Sequence, residues 1–161
     1  MIYTPLFIVL LGIVFILVWL FTNTIDKRKW LTFLISIILT PIIYFYIFYP
    51  FINIFSSYHH EKYFNTKAWN TKPALRYEMS NNIISKHLLI GKTKENIKNL
   101  LGTPEWFGWD PLIKANSPEK WNYNLGNKPG ALNTMQECIE ITFKKNKVET
   151  TKQYQLEQTF E

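Results

Sequence analysis

The sequence contains a single cysteine, Cys138, among 161 residues. An internal disulfide needs two cysteines, and a zinc site needs several ligands. We therefore interpret Cys138 as a small, half-buried apolar residue. His59, His60 and Glu61 do not fit the zinc-binding HExxH pattern, because Phe64 stands where its second histidine belongs. The sequence predicts neither a metal site nor a cofactor.

Charged side chains are missing from two stretches, residues 1–25 and 30–58. A helix rises about 1.5 Å per residue, so about 20 apolar residues match a hydrocarbon core about 30 Å thick. Residues 2–21 and 30–55 meet this condition, and we predict that residues 1–58 form a hairpin of two transmembrane helices. A cleaved signal peptide is the alternative for the first helix. It is disfavoured because no basic residue precedes the apolar run and no small-residue cleavage pattern follows it.

The short connection between the two predicted helices carries three basic residues at positions 27–29. Basic loops stay preferentially in the cytoplasm, so the rest of the chain is expected outside it. Three lysines between residues 62 and 72 weaken this assignment, because they follow the second helix closely. We predict a multi-pass protein of the inner (cytoplasmic) membrane with an extracytoplasmic, periplasmic soluble domain.

A concentrated basic patch is also missing. The formal net charge is +6, but the charges are scattered through the soluble part. Nucleic-acid binding normally requires basic residues clustered on one face. A mild basic bias is typical of proteins beside anionic lipid headgroups. We therefore expect the lipid bilayer as a partner and no nucleic acid.

Two helices are predicted after a polar linker at residues 59–72. Pro73 opens the first, which runs to about His87 with apolar residues at helical spacing. Thr93 is a suitable N-cap for the second, and Gly102 is a suitable end. The Gly-Lys-Thr triplet at 91–93 is not a phosphate loop, because position 86 lacks the glycine that the Walker pattern requires.

Three strands follow, at residues 121–125, 137–143 and 148–154, where apolar and polar side chains alternate. A turn at residues 144–147 joins the last two, with Asn146 able to adopt a positive φ. Helices grouped before strands predict an α+β domain over residues 73–155, with two helices packed on a three-stranded antiparallel sheet and a polar tail at 156–161. The opposite face of the sheet is then open to solvent or a partner. It would carry Asn122, Asn124, Cys138, Glu140 and Thr142.

The stretch from Leu89 to Lys94, followed by Leu100 to Pro104, resembles the signature of the SmpA/OmlA (BamE-like) domain family. The segments 121–126, 139–143 and 146–148 resemble that family's strands, so the resemblance covers about residues 73–154. It implies a non-catalytic binding module of the bacterial cell envelope. The lipid-bearing N-terminal cysteine of that family is replaced here by two apolar stretches, which implies anchoring in the inner membrane.

We find no set of nucleophile, base and orienting group in the sequence, and we predict that the protein is not an enzyme. The turn-rich segment 105–111 contains Trp106, Phe107 and Trp109. Aromatic residues are enriched at binding hot spots, so we predict these three as contacts for another envelope protein. The alternative is that one or two of them cover the small core.

A second function remains open at this point. The apolar hairpin itself would act as a structural subunit of a larger membrane complex. Gly12 and Ser36 are small residues that would let other helices approach closely. A membrane-bound enzyme is a third possibility, for which the sequence offers no motif.

Overall fold

The computed structural model describes residues 1–157; the predicted tail at 156–161 lies outside the described residues from position 158 onward. The chain forms two compact units. One contains Ile2–His60 and Pro129–Leu132, and we call it the helical unit. The other contains Glu61–Lys128 and the residues from Asn133 onward, and we call it the sheet unit.

The helical unit contains two long helical segments. The first, α1, is Pro5–Ile25, and it starts where the Thr4 hydroxyl accepts a hydrogen bond from the Phe7 N–H at 3.3 Å. Pro5 sits in the first turn, where its missing N–H is not needed. The second segment, Lys29–Phe55, is continuous. Both are long and apolar enough to cross a membrane, as judged by length and composition.

The second segment changes its helical pitch near its middle. It consists of α2 (Lys29–Ile43), a π-helical turn (Tyr44–Phe48) and α3 (Tyr49–Phe55). Pro50 follows the π turn and has no N–H to donate, and the Tyr49 N–H bonds to the Tyr44 carbonyl five residues back. A π turn of this kind is a recognised way for a helix to absorb a local irregularity.

Polar side chains lie inside the helical unit. The hydroxyl oxygens of Thr22 and Ser36 are 3.0 Å apart between α1 and α2, and both residues are buried. Close to the loop, the Thr32 hydroxyl donates to the Asn23 amide oxygen at 2.7 Å. Toward the other end, the buried Tyr44 hydroxyl lies 3.0 Å from His60 Nε2. The first two contacts join the two helical segments, and the third fixes the chain that follows the second segment.

In its described part, residues 61–128 and 133–157, the sheet unit contains three short α-helices, one 3₁₀ turn and four strands. The helical elements are α4 (Thr66–Thr71), the 3₁₀ turn Pro73–Leu75, α5 (Tyr77–Ser85) and α6 (Lys94–Leu101). The strands are β1 (Trp106–Asp110), β2 (Ala115–Asn127), β3 (Met135–Lys144) and β4 (Lys147–Glu157). They form one antiparallel sheet in the order β1-β2-β3-β4. The α+β class predicted from the sequence is confirmed.

The prediction of three strands was wrong, because the segment predicted as an aromatic loop forms β1. Gly108 suggested a turn, but it lies at a shift in the β1–β2 register, between Phe107 and Trp109. Pro118 likewise hid the start of β2 in the sequence, because proline is uncommon inside strands. It falls where β2 pairs with neither neighbour, so its missing N–H costs no ladder bond.

The first predicted helix was too long at both ends. Residues 73–75 form a 3₁₀ turn, and α5 ends at Ser85 rather than His87. His87 has a φ of 51° and its N–H bonds to the Ile84 carbonyl, while the Leu88 N–H bonds to the Ile83 carbonyl at 3.0 Å. This bonding pattern is a Schellman motif, which ends a helix.

The predicted cap and end of α6 and the predicted turn between β3 and β4 are confirmed. Thr93 caps α6 by accepting a hydrogen bond from the Asn96 N–H at 3.3 Å, and Gly102 ends the helix with a φ of 87°. Lys145 and Asn146 both have positive φ between β3 and β4. Two successive positive values are typical of the tight turns that match strand twist.

The core of the sheet unit lies between the helices and one face of the sheet. Its largest completely buried side chain is Trp69, which comes from the stretch that we interpreted as a linker. The Trp69 indole N–H donates to the Leu101 carbonyl at 3.1 Å, so α4 is fixed to the end of α6. The other buried members are Tyr77, Met79, Ile83, Leu89, Ile97, Leu101, Trp121, Tyr123, Leu125, Ile139, Ile141, Phe143 and Val148.

Candidate interaction surface on the first hairpin

The strands β1 and β2 form a hairpin at one edge of the sheet. Asp110 pairs with Ala115 next to the turn, and Trp109 pairs with Asn116. The Asp110 carboxylate accepts a hydrogen bond from the Leu112 N–H at 3.0 Å. This side-chain-to-backbone bond gives the turn a defined conformation.

The three aromatic residues predicted as contacts do not share one environment. Trp109 is 60% exposed and Phe107 is 44% exposed, whereas Trp106 is half-buried. Two apolar residues of the turn are more prominent than the sequence indicated, since Leu112 is 92% exposed and Ile113 is 57% exposed. We call the four exposed residues the hairpin patch: Phe107, Trp109, Leu112 and Ile113.

Trp106 is held in the sheet by a chain of polar contacts. It pairs with Asn122 on β2, and its indole hydrogen-bonds to the Tyr154 hydroxyl. The Tyr154 hydroxyl in turn donates to the Asn122 amide oxygen at 2.8 Å. Burial raises the pKa of Tyr154 to about 12, and the neighbouring Cys138 adds to the effect. Tyr154 therefore stays protonated and keeps its donor role, and Trp106 supports the hairpin rather than extending from it.

The start of β1 is fixed to the helical layer through Glu105. One carboxylate oxygen of Glu105 accepts from the Arg76 guanidinium at 2.7 Å, and the other accepts from the Asn124 N–H at 3.0 Å. Arg76 is buried and also donates to the Trp69 carbonyl at 2.9 Å. Charged hydrogen bonds of this kind are stronger than neutral ones. They give the hairpin a rigid base.

The face of the sheet opposite the core carries the polar residues that the alternation predicted. Asn122 lies opposite Glu140, and Asn124 lies opposite Cys138. Cys138 is completely buried rather than half-buried, and burial, with the charges of Glu105 and Glu137, raises its thiol pKa to about 11. A thiol with so high a pKa is a poor nucleophile.

Glu137 is the one buried carboxylate among the described residues. It is ion-paired with Lys128 at 3.1 Å and accepts hydrogen bonds from the side chains of Gln153 and Gln155. Burial alone would raise its pKa, but these donors together bring the pKa below the ordinary value. Its hydrogen-bonding capacity is used within the fold, so we assign Glu137 a structural role. Residues 1–157 contain no cluster of three metal-ligating side chains.

Leu112 and Ile113 escaped the sequence analysis, although a signal was present. Turn residues are normally polar or glycine, and the sequence after Asp110-Pro111 instead places two large apolar residues together. A search for aromatic residues alone does not reveal aliphatic residues in a turn. Comparisons of the chain with family models, with curated proteins and with solved structures found no match.

Proposed function

We propose that this chain is a non-catalytic, membrane-anchored interaction protein of the bacterial cell envelope. The helical unit crosses the inner membrane, and the sheet unit presents Phe107 and Trp109 to another envelope protein from its periplasmic position. Trp106 supports these two residues from within the sheet.

The observation that carries this proposal is the exposure of large aromatic side chains on a rigid hairpin. Phe107 and Trp109 are 44% and 60% exposed, while the strand that bears them is fixed through Glu105 and Trp106. A backbone that is already fixed loses little conformational entropy on binding. Exposed aromatics on such a support are typical of interaction hot spots.

Membrane anchoring is supported by the way side chains are distributed in the helical unit. Apolar residues such as Leu17, Leu20 and Phe21 are more than half exposed on α1, while Thr22 is buried. Apolar residues facing outward cost little only where the surroundings are apolar too. The basic residues at 27–29 favour a cytoplasmic connection. The resemblance to the SmpA/OmlA domain favours an envelope role for the sheet unit.

A co-purification experiment tests the interaction site. The full chain, carrying an affinity tag, is crosslinked in cells and purified with its partners. Phe107→Ala and Trp109→Ala are each expected to lower the yield of a specific partner roughly tenfold, since hot-spot truncations cost more than about 1.4 kcal/mol. Tyr63→Ala is the matched control, because Tyr63 is also an exposed aromatic of the sheet unit (65%).

Thermal unfolding of the same variants separates contact from stability. Both hairpin variants are expected to melt within about 2 °C of wild type, because exposed residues contribute little to the core. A normal partner yield from Trp109→Ala with lowered melting temperature contradicts the contact role.

A reporter fused to the C-terminus and active only outside the cytoplasm tests the periplasmic placement of the sheet unit. If only a reporter that works in the cytoplasm is active, that placement is contradicted.

A structural role for the helical unit itself is the second candidate. An apolar groove of about 450 Å³ runs along it, lined by residues that include Ile8, Gly12, Ile37 and Pro41. A Cβ added at Gly12 would meet no atom within 4 Å, so this position is open to another helix. Ser36, in contrast, is already used in the contact between α1 and α2.

Deleting residues 61–161 distinguishes the two functions. If residues 1–60 alone still enter a complex with the same partners as the full chain, the second function is supported. Loss of the complex favours the sheet unit as the interaction module. Gly12→Leu in the full chain is the matched variant, because it fills the groove without touching the hairpin patch.

A further inference from the structure

The two edge strands of the sheet are protected from further pairing to different extents. At the β4 edge, the Val148 N–H donates to the Lys92 carbonyl and the Gly91 N–H donates to the Val148 carbonyl, both at 2.9 Å. The rest of this edge carries exposed charged residues such as Glu149 and Lys152. Covered ends and charged side chains are common means by which proteins prevent another chain from adding to a sheet. The β4 edge is therefore guarded.

The β1 edge is open along its length. On its outer side, β1 forms no backbone hydrogen bond with any of residues 1–157. Residues 106–109 carry no charge, and the carboxylate of Asp110 at the end of the strand is used by the Leu112 N–H. An unpaired edge of this kind offers its N–H and C=O groups to an extended chain, which adds to the sheet as a new strand.

The two faces of β1 differ in the side chains that they present at this edge. Phe107 pairs with the core residue Trp121, so its side chain lies on the core face of the sheet. A Cβ added at Gly108 would lie 2.5 Å from Glu140 Oε2, so this position belongs to the opposite face. Side chains alternate along a strand, which places the exposed Trp109 on the same face as Phe107. Apolar and β-branched residues of an added strand form favourable pairs with such aromatic rings.

The opposite face presents a carboxylate at the edge. Because Gly108 has no side chain, the Glu140 carboxylate extends from β3 across β2 to β1. Among the described residues Glu140 forms no ion pair, and the Lys120 ammonium donates to the Trp109 carbonyl at 3.1 Å instead. A residue opposite Gly108 on an added strand has its Cβ about 4.5–5.5 Å from the position of a Gly108 Cβ, so a lysine or arginine there reaches the Glu140 carboxylate.

We infer that an extended segment of the envelope partner pairs with residues 106–110 as an additional strand. This segment carries a basic residue between two apolar residues. The apolar residues contact Phe107 and Trp109, and the basic residue pairs with Glu140. This pairing rests on the proposed function, since Phe107 and Trp109 are its contact residues, and it adds the conformation and the chemistry of the partner segment.

A short synthetic peptide tests the pairing directly. Its sequence, Ser-Thr-Val-Lys-Val-Thr-Ser with blocked ends, reads the same in both directions, so it presents the same side chains to a parallel or an antiparallel neighbour. The full chain in detergent micelles is titrated against the fluorescently labelled peptide. Replacing the lysine of the peptide by glutamate is expected to weaken binding roughly tenfold, because like charges then meet at Glu140.

Glu140→Gln identifies the residue that recognises the charge of the peptide. This variant keeps the shape of the side chain, and the two peptides are expected to bind it within about twofold of each other. Glu149→Gln is the matched control, because Glu149 is an exposed glutamate on the opposite edge strand, and the full difference should remain. Equal binding of both peptides to the wild-type chain overturns the basic residue of the partner segment.

Backbone pairing is tested separately from side-chain contact. In a strand, alternate residues direct their N–H groups toward a given neighbour. Two versions of the peptide are therefore methylated on backbone nitrogens, one at the valines and the other at the lysine and the threonines. One version is expected to lose binding roughly tenfold and the other to keep it, because only one set of N–H groups is used. Equal binding of the two versions overturns strand addition.

Hydrogen exchange locates the bound peptide on the protein. Saturating peptide is expected to slow exchange of the outward-facing amides within residues 106–110 roughly tenfold, while residues 150–156 on β4 keep their rates. Unchanged rates at 106–110 overturn the site. Slow exchange there before the peptide is added, in a chain that sediments as a dimer, means that a second copy already occupies this edge, and it overturns a segment of another protein.

The strand pairing and the proposed function can fail separately. If Phe107→Ala and Trp109→Ala lower the partner yield in cells but the peptide does not bind the wild-type chain, strand addition is overturned and the protein contact stands. If neither variant lowers the partner yield, the proposed function is overturned, and the strand pairing is overturned with it.

Discussion

The two units of the chain differ in the side chains that they expose. In the helical unit, Thr22, Thr32 and Ser36 are buried together with an apolar cluster that includes Val14 and Val18, while Phe21 and Trp30 are about two-thirds exposed. In the sheet unit, few large apolar side chains are exposed. Its buried side chains are mainly apolar, and they include Trp69, Ile83, Leu89, Ile97, Leu101, Leu125, Ile139 and Ile141.

Under the membrane anchoring that we propose, burial in this chain follows the surrounding solvent rather than residue type. Trp30 and Trp69 are the same residue, yet Trp30 is 65% exposed and Trp69 is completely buried. Burying an apolar group is favourable only when the alternative is water. Between helices in an apolar medium, packing and hydrogen bonds from Ser and Thr hold the contact instead. The hairpin patch is the exception within the sheet unit, and it is where we place the contacts with other molecules.

The largest expected effect comes from removing the central side chain of the sheet unit. Trp69→Ala is expected to lower the free energy of unfolding by about 3–5 kcal/mol, because it leaves a cavity and frees the Leu101 carbonyl. Trp109→Ala is the matched control, and we expect a change within about 0.5 kcal/mol. Urea unfolding of the full chain in detergent measures both. Similar losses for the two variants would contradict the assigned difference between core and surface.

A slightly smaller effect is expected from a charge on the outer surface of α1. Leu17 is 57% exposed near the middle of the helix, and Leu17→Lys is expected to disfavour membrane insertion by about 2.5–3.5 kcal/mol. The membrane fraction in cells should fall accordingly. Leu112→Lys is the control, since it adds the same charge to the sheet unit and should leave the anchor in place. An unchanged membrane fraction for Leu17→Lys would mean that this surface faces water.

Much of the fold could be predicted because its signals are local. The spacing of Ile97, Leu100 and Leu101 and the Thr93 cap determine α6 within a few residues. The alternation through residues 137–143 places β3 and its two faces. The length and composition of the two apolar stretches are properties of the sequence itself.

The strand β1 could not be predicted because its pairing is not local. Residues 106–110 contain Gly108 and are followed by Pro111, both of which are typical of loops. They form a strand because β2 extends well before Trp121 and offers a free edge. The buried position of Trp69 was missed for a similar reason. Two of the partners that enclose it, Leu101 and Tyr123, lie more than 30 residues away along the chain.

Only part of the candidate site followed from the sequence. The aromatic content of residues 106–109 was visible, but the half-buried state of Trp106 depends on Tyr154 and Asn122, which come from two other strands. Tertiary hydrogen bonds of this kind leave no periodic signal. The exposure of Leu112 depends on the conformation of the turn, which is set in part by the bond to Asp110.

An intermediate effect is expected from the buried carboxylate of the sheet unit. The folded-state pKa of Glu137 is lowered, so the stability it contributes is present above its unfolded pKa, about 4.5, and is lost as the pH falls through the folded value. Glu137→Gln is expected to cost about 1–3 kcal/mol at neutral pH and progressively less as the pH falls below about 4.5. Unfolding of both proteins across this range measures the difference. A cost that does not change with pH would contradict the role of the charge.

The smallest expected effect tests the inward polar contacts of the helical unit. A double-mutant cycle of Thr22→Ala and Ser36→Ala is expected to give a coupling energy of about 0.6 kcal/mol, the average for hydrogen bonds between membrane helices. Thr24→Ala combined with Ser36→Ala is the control, because Thr24 bonds only to the Phe21 carbonyl of its own helix and should show no coupling. Unfolding in bilayer-like micelles measures each variant. Replacing both partners of a buried hydrogen bond by apolar groups can stabilise a water-soluble protein, so a gain in stability from the double variant would indicate that these helices pack as a water-soluble pair, and the contrast between the two units would then disappear.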